Sequence, residues 1–444
     1  MTPAPWPPDG TPLVVRGARA VLVDPGSPSA PEPAVDVHCA GGVVQPSAPP
    51  ATGPGPELLD AQGCVVTPGL VNAHHHLLQT AFRTLPGTRG VPMSQWLPTM
   101  AAAYTRAGVD AELVGAAALA GLAESLLCGV TTVADHHLTW PADIDPVALA
   151  GATVAAASEL GARLVFVRGT AGDDPEVAAA SADAIAEAHH DGDLVQVAVG
   201  PAGVHSDARA TFDALAEVAA RRGLRRRTQA NEVVDVERAA ERYGRRPLDL
   251  LEEWGWLAPD VTLAHLCAIT ADERTRLVRA RVTATHAPGC DLPMGWGVAE
   301  VGALLDAGVA VGLGTSGGGS NDAGHLLADA RLALQVAPLT SRPLTAVDVL
   351  TMATAGSAAG LGRADLGHLG VGAAADLVCY DVTGALDAGV ADPLAGLIWA
   401  HPGRLPRHVV VAGRVVVHDF ELVGLDHRSI ARDLRAELDR RRPG

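Results

Sequence analysis

Two histidines, His74 and His76, stand one residue apart at the end of an apolar segment. In an extended chain, side chains two residues apart lie on the same face, so both imidazoles can bind one ion. Imidazole is a common ligand of Zn²⁺ and of Fe²⁺. The pair therefore predicts a divalent metal site, with zinc as the first candidate and iron as the second.

Other reactive side chains follow other apolar segments of the chain. Eight of the 17 histidines lie within a few residues of a predicted strand end. These eight are His74, His75, His76, His136, His137, His205, His265 and His286. Glu232 and Ser316 also follow predicted strands, and a carboxylate beside an imidazole can carry protons during hydrolysis. The distribution predicts one polar site that several strand ends share.

Strand and helix patterns alternate from residue 65 onward. Short β-branched runs predict eight strands, at 65–71, 130–134, 163–168, 194–199, 224–229, 261–266, 281–285 and 309–314. Stretches rich in Ala, Leu, Glu and Arg predict helices between them. Eight such units predict an α/β fold, the TIM (β/α)8 barrel, whose chemistry takes place at the carboxyl ends of the strands. A doubly wound sheet is the alternative, but the chain lacks the glycine loop that binds phosphate in such sheets.

Further β patterns flank the predicted barrel. Short strands are expected within 12–24, 375–380 and 408–418, and a basic helix is expected at 428–442. We expect residues 1–66 and 367–444 to form one small β-sandwich domain with the C-terminal helix. The catalytic barrel is then expected at 67–366.

Composition limits the partners of the chain. Its 444 residues carry a formal net charge of −17, which argues against nucleic acid or an anionic membrane as a partner. The six cysteines are scattered and the Pro-rich N-terminal residues lack a signal-peptide pattern, so we expect a cytoplasmic protein with reduced thiols. A homo-oligomer, a dimer, is also expected, since closed symmetric oligomers are common.

Five segments together resemble the amidohydrolase family, within its aminohydrolase and triazine-hydrolase branch. The first segment reads Pro-Gly-Leu-Val-Asn-Ala-His-His-His and contains His74 and His76. The others lie at 124–137, 263–265, 291–297 and 314–322. The resemblance runs nearly end to end, in the same order and with similar spacing.

The resemblance implies a mononuclear metal site and a role for each matched position. His74 and His76 match the first-strand ligands, and Glu232 matches the proton-carrying Glu of a strand-5 His-x-x-Glu pattern. His265 matches a strand-6 histidine that contacts the attacking water or the substrate. Ser316 stands where many members have an Asp ligand, and we expect it to hold the water. The implied function is metal-dependent removal of an amino, alkylamino or halide group from a purine-, pterin- or triazine-like heterocycle.

The third metal ligand departs from the family pattern, because Gln229 stands where the strand-5 His is expected. An amide oxygen is a weaker ligand for Zn²⁺ than imidazole. Three alternatives follow: a metal bound less tightly by His74, His76 and Gln229; a metal-free barrel that binds a heterocycle without turnover or does other chemistry; or an inactivated copy. Arg227 lies on the same strand, and it either points inward, where it repels a metal, or turns outward to a carboxylate.

Several residues are predicted to contact the substrate. Because aromatic residues make up only 3% of the chain, Trp96 and Trp296 are candidates for stacking on a flat ring. His286, Gln79 and Asn321 complete the predicted substrate-binding set. For His286 the alternative is a supporting role at the barrel rim, and for Glu232 it is a carboxylate that stabilises a helix N-terminus.

Overall fold

The computed structural model describes residues 11–26, 35–47 and 55–442. Six short strands come first: β1 (Leu13–Arg16), β2 (Ala20–Val21), β3 (Val37–Ala40), β4 (Val43–Gln45), β5 (Glu57–Asp60) and β6 (Cys64–Pro68). The barrel strands follow: β7 (Leu70–His76), β8 (Val130–His137), β9 (Arg163–Thr170), β10 (Val195–Pro201), β11 (Arg225–Ala230), β12 (Val261–His265), β13 (Thr283–His286), β14 (Val311–Leu313) and β15 (Ser316–Gly317). The last strands are β16 (Leu377–Asp381), β17 (His408–Val411), β18 (Arg414–His418) and β19 (Glu421–Leu422).

Helices separate the barrel strands. The first group is α1 (Met93–Ala107), α2 (Ala111–Leu127), α3 (Pro146–Leu160), α4 (Pro175–His189), α5 (Arg209–Arg222), α6 (Val233–Tyr243), α7 (Pro247–Glu253) and α8 (Ala271–Ala280). The second group is α9 (Pro288–Asp291), α10 (Val301–Asp306), α11 (Leu326–Val336), α12 (Ala346–Thr351), α13 (Ser357–Leu361), α14 (Pro393–Trp399) and α15 (His427–Arg440). A 3₁₀ segment, Leu77–Phe82, follows β7 directly.

The barrel strands form one parallel sheet in the order β14-β13-β12-β11-β10-β9-β8-β7-β15. Only two residues separate β14 from β15, and β15 pairs with β7 through Ser316 opposite His75. The interrupted eighth strand therefore closes the ring onto the first. The predicted TIM barrel is confirmed, and a doubly wound sheet is excluded because such a sheet stays open.

The predicted first strand, 65–71, was wrong as a single element. The structure divides it at Gly69 into β6, which belongs to a six-stranded, mostly antiparallel sheet, and β7, which belongs to the barrel. The apolar run is continuous across the break, so hydrophobic pattern alone cannot reveal it. As a result, His74 and His76 lie inside a barrel strand and not after it.

Local sequence signals set the helix ends. Asp145 and Asp174 cap the N-termini of α3 and α4 by accepting backbone N–H bonds, and a proline follows each. Gly161 ends α3 in the left-handed conformation at φ 70°. The many alanines of α2 and α3 let these helices approach each other and the strands closely, within one large buried core.

Two further sheets come from the segments that flank the barrel in the sequence. One has the order β4-β3-β1-β5, and the other β19-β18-β17-β16-β6-β2. Their shared core includes Leu13, Leu59, Val66, Leu377 and Val410. The predicted small β domain from the two flanking segments is therefore present. Its boundaries at residues 66 and 367 stay a prediction, and β6 runs on to Pro68.

Ionic contacts join the flanking segments to the barrel. Arg163, the first residue of β9, makes two hydrogen bonds to the carboxylate of Asp376, at 2.8 and 3.1 Å, and both side chains are buried. Arg441, just after α15, donates to Asp110, the N-cap of α2. In the described residues, no helix is both long enough and apolar enough to cross a membrane.

Candidate active site

The first and eighth strands are fastened together beside the histidine pair. Asn72 donates to the hydroxyl of Thr315 at 2.8 Å and accepts from the Thr315 backbone N–H at 3.2 Å. Gly314 passes so close to His74 that a Cβ there would lie 2.8 Å from the backbone oxygen of His74. These contacts hold β7 and fix where His74 and His76 point.

The two imidazoles lie together, buried and neutral. The ring centroids of His74 and His76 are 4.9 Å apart. Nδ1 of His76 bonds to the backbone oxygen of His136 at 2.6 Å. Since a carbonyl only accepts, this nitrogen carries the proton and Nε2 keeps its lone pair. Burial lowers the pKa of His76 to about 4 and that of His74 well below its usual value, with neighbouring histidines adding to the effect.

Strand β11 carries Gln229 and Arg227 on the inner face of the barrel. Gln229 reaches the cavity wall. Arg227 points inward and donates to the backbone oxygens of Ala73 and, at 3.1 Å, of Gly360. The inward alternative therefore holds, and no carboxylate pairs with Arg227 within residues 11–26, 35–47 and 55–442. Burial, followed by the charge of Arg225, lowers the pKa of Arg227 to about 9.

Glu232 follows β11 and precedes α6, but its side chain does not cap that helix. It is fully buried, and neither carboxylate oxygen has a hydrogen-bond partner within the described part of the chain. One oxygen, Oε1, lies 3.7 Å from Nε2 of His265. Burial raises the pKa of Glu232 to about 7, against the opposing effects of His265 and His205. A carboxyl with such a pKa can both take up and release protons near neutral pH.

His265 and Asp291 form a buried pair. Nδ1 of His265 bonds to Oδ1 of Asp291 at 2.6 Å, so Nε2 faces Glu232 and makes no hydrogen bond among the described residues. His265 adopts the left-handed conformation, with φ 75°, at the end of β12. Burial alone would lower the pKa of His265, but the charge and hydrogen bond of Asp291 raise it. The sequence pattern predicted no role for Asp291, although the residue opens the segment 291–297 that resembles the family.

The donor atoms at this place fit a divalent metal, although the inward Arg227 cation beside His74 opposes the binding of one. Nε2 of His74 is buried without a hydrogen-bond partner in the described chain, and the only side-chain hydrogen bond of His76 among the described residues is made by Nδ1. Gln229 adds a neutral amide oxygen from the cavity wall, a weaker ligand than imidazole. Buried polar atoms are rarely left unpaired, so this arrangement is suited to holding an ion.

A second group of donors, His265, Cys290 and Asp291, lies within 4.8 Å of one another. This group does not fit a metal. His265 and Asp291 already bond to each other, and burial together with the Asp291 charge raises the pKa of the Cys290 thiol, so the thiol stays protonated. Metal binding needs the thiolate.

A cavity of about 330 Å³ opens above these groups. Its wall includes the predicted residues His76, Gln79, Trp96, Gln229, Trp296 and Ser316. His74, Glu232 and His265 lie behind that wall, fully or almost fully buried. The edge of the His265 ring meets the Trp296 ring at a centroid distance of 5.0 Å, which brings the aromatic wall against the reactive groups.

Two residues predicted to contact the substrate lie outside the cavity wall, and their substrate roles stay predictions. Asn321 is absent from the cavity wall, because its amide donates to the Thr315 backbone oxygen and to the buried carboxylate of Asp329. It therefore fixes the loop after β15. His286 is also absent from the wall, and its Nδ1 lies 3.8 Å from Oδ2 of Asp291. This position agrees with the supporting role that was the alternative for His286.

Two residues that were not predicted as site residues line the same cavity. His205 follows β10, and its Nδ1 lies 3.1 Å from Oδ1 of Asp235. Arg238 comes from the middle of α6. The sequence placed His205 among the histidines at strand ends without giving it a role, whereas an arginine on a helix carries no such signal.

Fold and site together define a closed TIM barrel with a histidine-rich centre at the carboxyl ends of its strands. Residues 65–416 match the amidohydrolase family, and the chain belongs to that family. The predicted family is thereby confirmed.

Known relatives support the same branch. The 8-oxoguanine deaminase of Pseudomonas aeruginosa is 35% identical over 83% of this chain and 85% of its own length. An isoxanthopterin deaminase from an unknown prokaryotic organism is 28% identical over 95% of this chain and 94% of its own length. The crystal structure of an atrazine chlorohydrolase from Arthrobacter aurescens, complexed with zinc, matches with a TM-score of 0.88 and 32% identity. That match covers 96% of this chain and 100% of the chlorohydrolase.

Proposed function

We propose that this chain is a metal-dependent hydrolase that removes an amino, alkylamino or halide group from a nitrogen heterocycle, with the metal held by His74, His76 and Gln229. One observation carries the proposal. Unpaired, buried nitrogen and oxygen atoms of His74, His265 and Glu232 converge beneath one cavity. Most buried polar atoms are paired, so unpaired atoms of three residues that meet at one place indicate a site for a ligand, ion or reacting group.

The class of activity rests on the comparisons with known proteins. The family match and the deaminase and chlorohydrolase relatives confirm the predicted enzyme class, a hydrolase acting on carbon–nitrogen or carbon–halide bonds. They do not favour the alternative of a barrel that binds without turnover. A divalent ion is supported by the zinc-containing neighbour, and zinc at this particular ligand set is our proposal.

A bound divalent ion supplies Lewis-acid activation of water. Glu232 accepts one proton of the attacking water on a carboxylate oxygen and delivers it to a ring nitrogen. The second water proton then passes through Glu232 to a leaving amino or alkylamino group, whereas a halide leaves as the anion and this proton goes to solvent. The water oxygen bonds to the ring carbon, and the bond to the amino, alkylamino or halide group breaks. The products are the ring carbonyl compound and ammonia, an amine or a halide ion.

The neighbouring side chains orient the reactants. Asp291 accepts from Nδ1–H of His265, which leaves Nε2 to contact the water or the ring. Trp296 stands beside His265 and offers an aromatic wall for a flat heterocycle. Ser316, in the cavity wall, holds the water by a hydrogen bond. Trp96 donates to the Gly319 backbone oxygen at 3.0 Å and so forms a fixed part of the wall.

The test measures turnover and metal content together. Ammonia or halide release is followed with 8-oxoguanine, isoxanthopterin and atrazine, and zinc content is measured on purified protein by mass spectrometry. We expect near-stoichiometric zinc, and we expect Glu232→Gln to lower kcat about 10³-fold without lowering zinc content. Gln229→His serves as a gain control and should tighten zinc binding by about tenfold.

Two outcomes would contradict the proposal. One is less than about a tenth of an equivalent of zinc in the wild type, with both zinc and activity appearing only in Gln229→His. The other is unchanged turnover in Glu232→Gln. A cytoplasmic location and a homodimer stay predictions alongside this proposal.

A further inference from the structure

The cavity has two chemically different sides. Trp96 bonds to the Gly319 backbone oxygen beyond the eighth strand, and Met93, Met100 and Met294 add apolar surface to the wall. His205 follows the fourth strand, and Arg238 lies on the helix after the fifth. In a ring of eight strands, the fourth and fifth lie across from the eighth and first. The cavity thus joins an aromatic and apolar side to a cationic one.

Arg238 is available to a ligand. Among the described residues, no carboxylate lies within 4 Å of its guanidinium and no hydrogen bond occupies it. The arginines that follow it along the chain are engaged: Arg242 lies over the Tyr243 ring, Arg245 pairs with Glu253, and Arg246 pairs with Glu273. Arg238 is exposed at the cavity wall, so its guanidinium can meet an anionic group of a ligand there.

The acidic residue about one turn before Arg238 on α6 is already engaged in hydrogen bonds. Asp235, three residues before Arg238, is buried and accepts hydrogen bonds from the backbone and Nδ1 of His205 and from the Asn231 backbone. This fixes His205 with Nδ1 toward Asp235. Its other nitrogen, Nε2, makes no hydrogen bond to the described residues, and the ring lines the cavity.

We propose that Arg238 and Nε2 of His205 together bind an anionic substituent, a carboxylate or phosphate, on the heterocyclic substrate. This inference rests on the proposed function and specifies its substrate class: a flat heterocycle that bears an acidic group away from the reacting carbon. The formal net charge of −17 opposes the approach of any anion. Local pairing with a guanidinium therefore has to supply the affinity for that group.

The test compares pterin with pterin-6-carboxylate, which differ only by the acidic group. Dissociation constants are measured from ligand fluorescence in the Glu232→Gln background, so that neither compound is consumed. We expect the carboxylate to bind about tenfold more tightly than pterin. Arg238→Gln should remove this difference and leave the Kd for pterin unchanged, which also verifies the fold. Arg242→Gln, on the same helix over Tyr243, is the matched control and should change neither constant.

Three results would overturn the inference: no saturable binding of pterin-6-carboxylate, equal affinity for both compounds, or equal weakening of both by Arg238→Gln. Inorganic phosphate then distinguishes the anions, because displacement of the carboxylate compound supports a phosphate group and no displacement supports a carboxylate. Turnover is measured separately. Hydrolysis without preference for the acid would therefore leave the proposed function intact and reject only this inference.

Discussion

The two ends of the barrel treat buried charge in opposite ways. At the amino end, Arg163 satisfies both oxygens of Asp376, and a third contact reaches Asp193 at 2.7 Å. At the carboxyl end, Glu232 and Nε2 of His265 lie buried with no hydrogen bonds in the described chain. Buried charges whose hydrogen bonds are all made hold the two domains together. Buried groups without hydrogen-bond partners can instead bind a ligand or take part in a reaction.

The largest effect on folding is expected at the amino end. Arg163→Met leaves the buried carboxylate of Asp376 without its cation, and the free energy of unfolding should fall by about 3–5 kcal/mol. Denaturation in urea measures the change. Arg221→Met is the control, since Arg221 pairs with Asp183 on the surface and should change stability by less than about 1 kcal/mol. If Arg163→Met and Arg221→Met lowered the free energy of unfolding equally, the buried pair at the amino end would not have this stabilising role.

At the carboxyl end, removing the buried charge should instead increase the free energy of unfolding. The effect should be clearest in metal-free protein. The pKa of Glu232 is raised from its usual value of 4.5 to about 7 in the folded state, so the folded protein holds the proton more tightly than the unfolded chain. Its contribution to stability is present below pH 4.5 and is lost as the pH rises through about 7. Wild type should therefore lose about 3 kcal/mol relative to Glu232→Gln across this range.

The measurement is urea denaturation of EDTA-treated protein at pH 5 and pH 7.5. Glu232→Gln removes the titrating group and provides the reference curve at each pH. If the free energies of unfolding of wild type and Glu232→Gln differed by the same amount at both pH values, Glu232 would ionise normally. The two ends of the barrel would then not differ in how they stabilise buried charge.

A smaller effect should follow from Asp291→Asn, which keeps the shape of the His265 partner but removes its charge. We expect kcat to fall about 10–100-fold with little change in KM, because the imidazole is held less firmly and its basicity falls. The pH profile of kcat/KM should shift at the same time, which a purely structural role would not produce. An unchanged profile and rate would show that Asp291 does not act through His265.

Sequence reasoning located most of the site because strand ends and spacing are local signals. His74, His76, Glu232 and His265 could be selected from their positions after or within apolar segments. The function of Asp291 could not, since its contact with His265 spans 26 residues and depends on the left-handed backbone of His265.

Other features also depend on tertiary structure. The break at Gly69 separates two sheets within one apolar run, and only the partners of each half distinguish β6 from β7. The inward direction of Arg227 follows from acceptors at Ala73 and Gly360, on distant elements. Asn321 was predicted to bind the substrate because of its motif, but its amide donates hydrogen bonds to Thr315 and Asp329 instead.

The six-stranded sheet has a consequence for how the chain is made. It places β6 directly beside β16, with β2 on the other side of β6, although the whole barrel is encoded between β6 and β16. A ribosome adds about 5–20 residues per second, so roughly 15–60 s separate the synthesis of these neighbours. During that time the apolar edge of β6 has no partner strand from β16. We expect the nascent chain to need shielding by a chaperone until β16 emerges and completes the sheet.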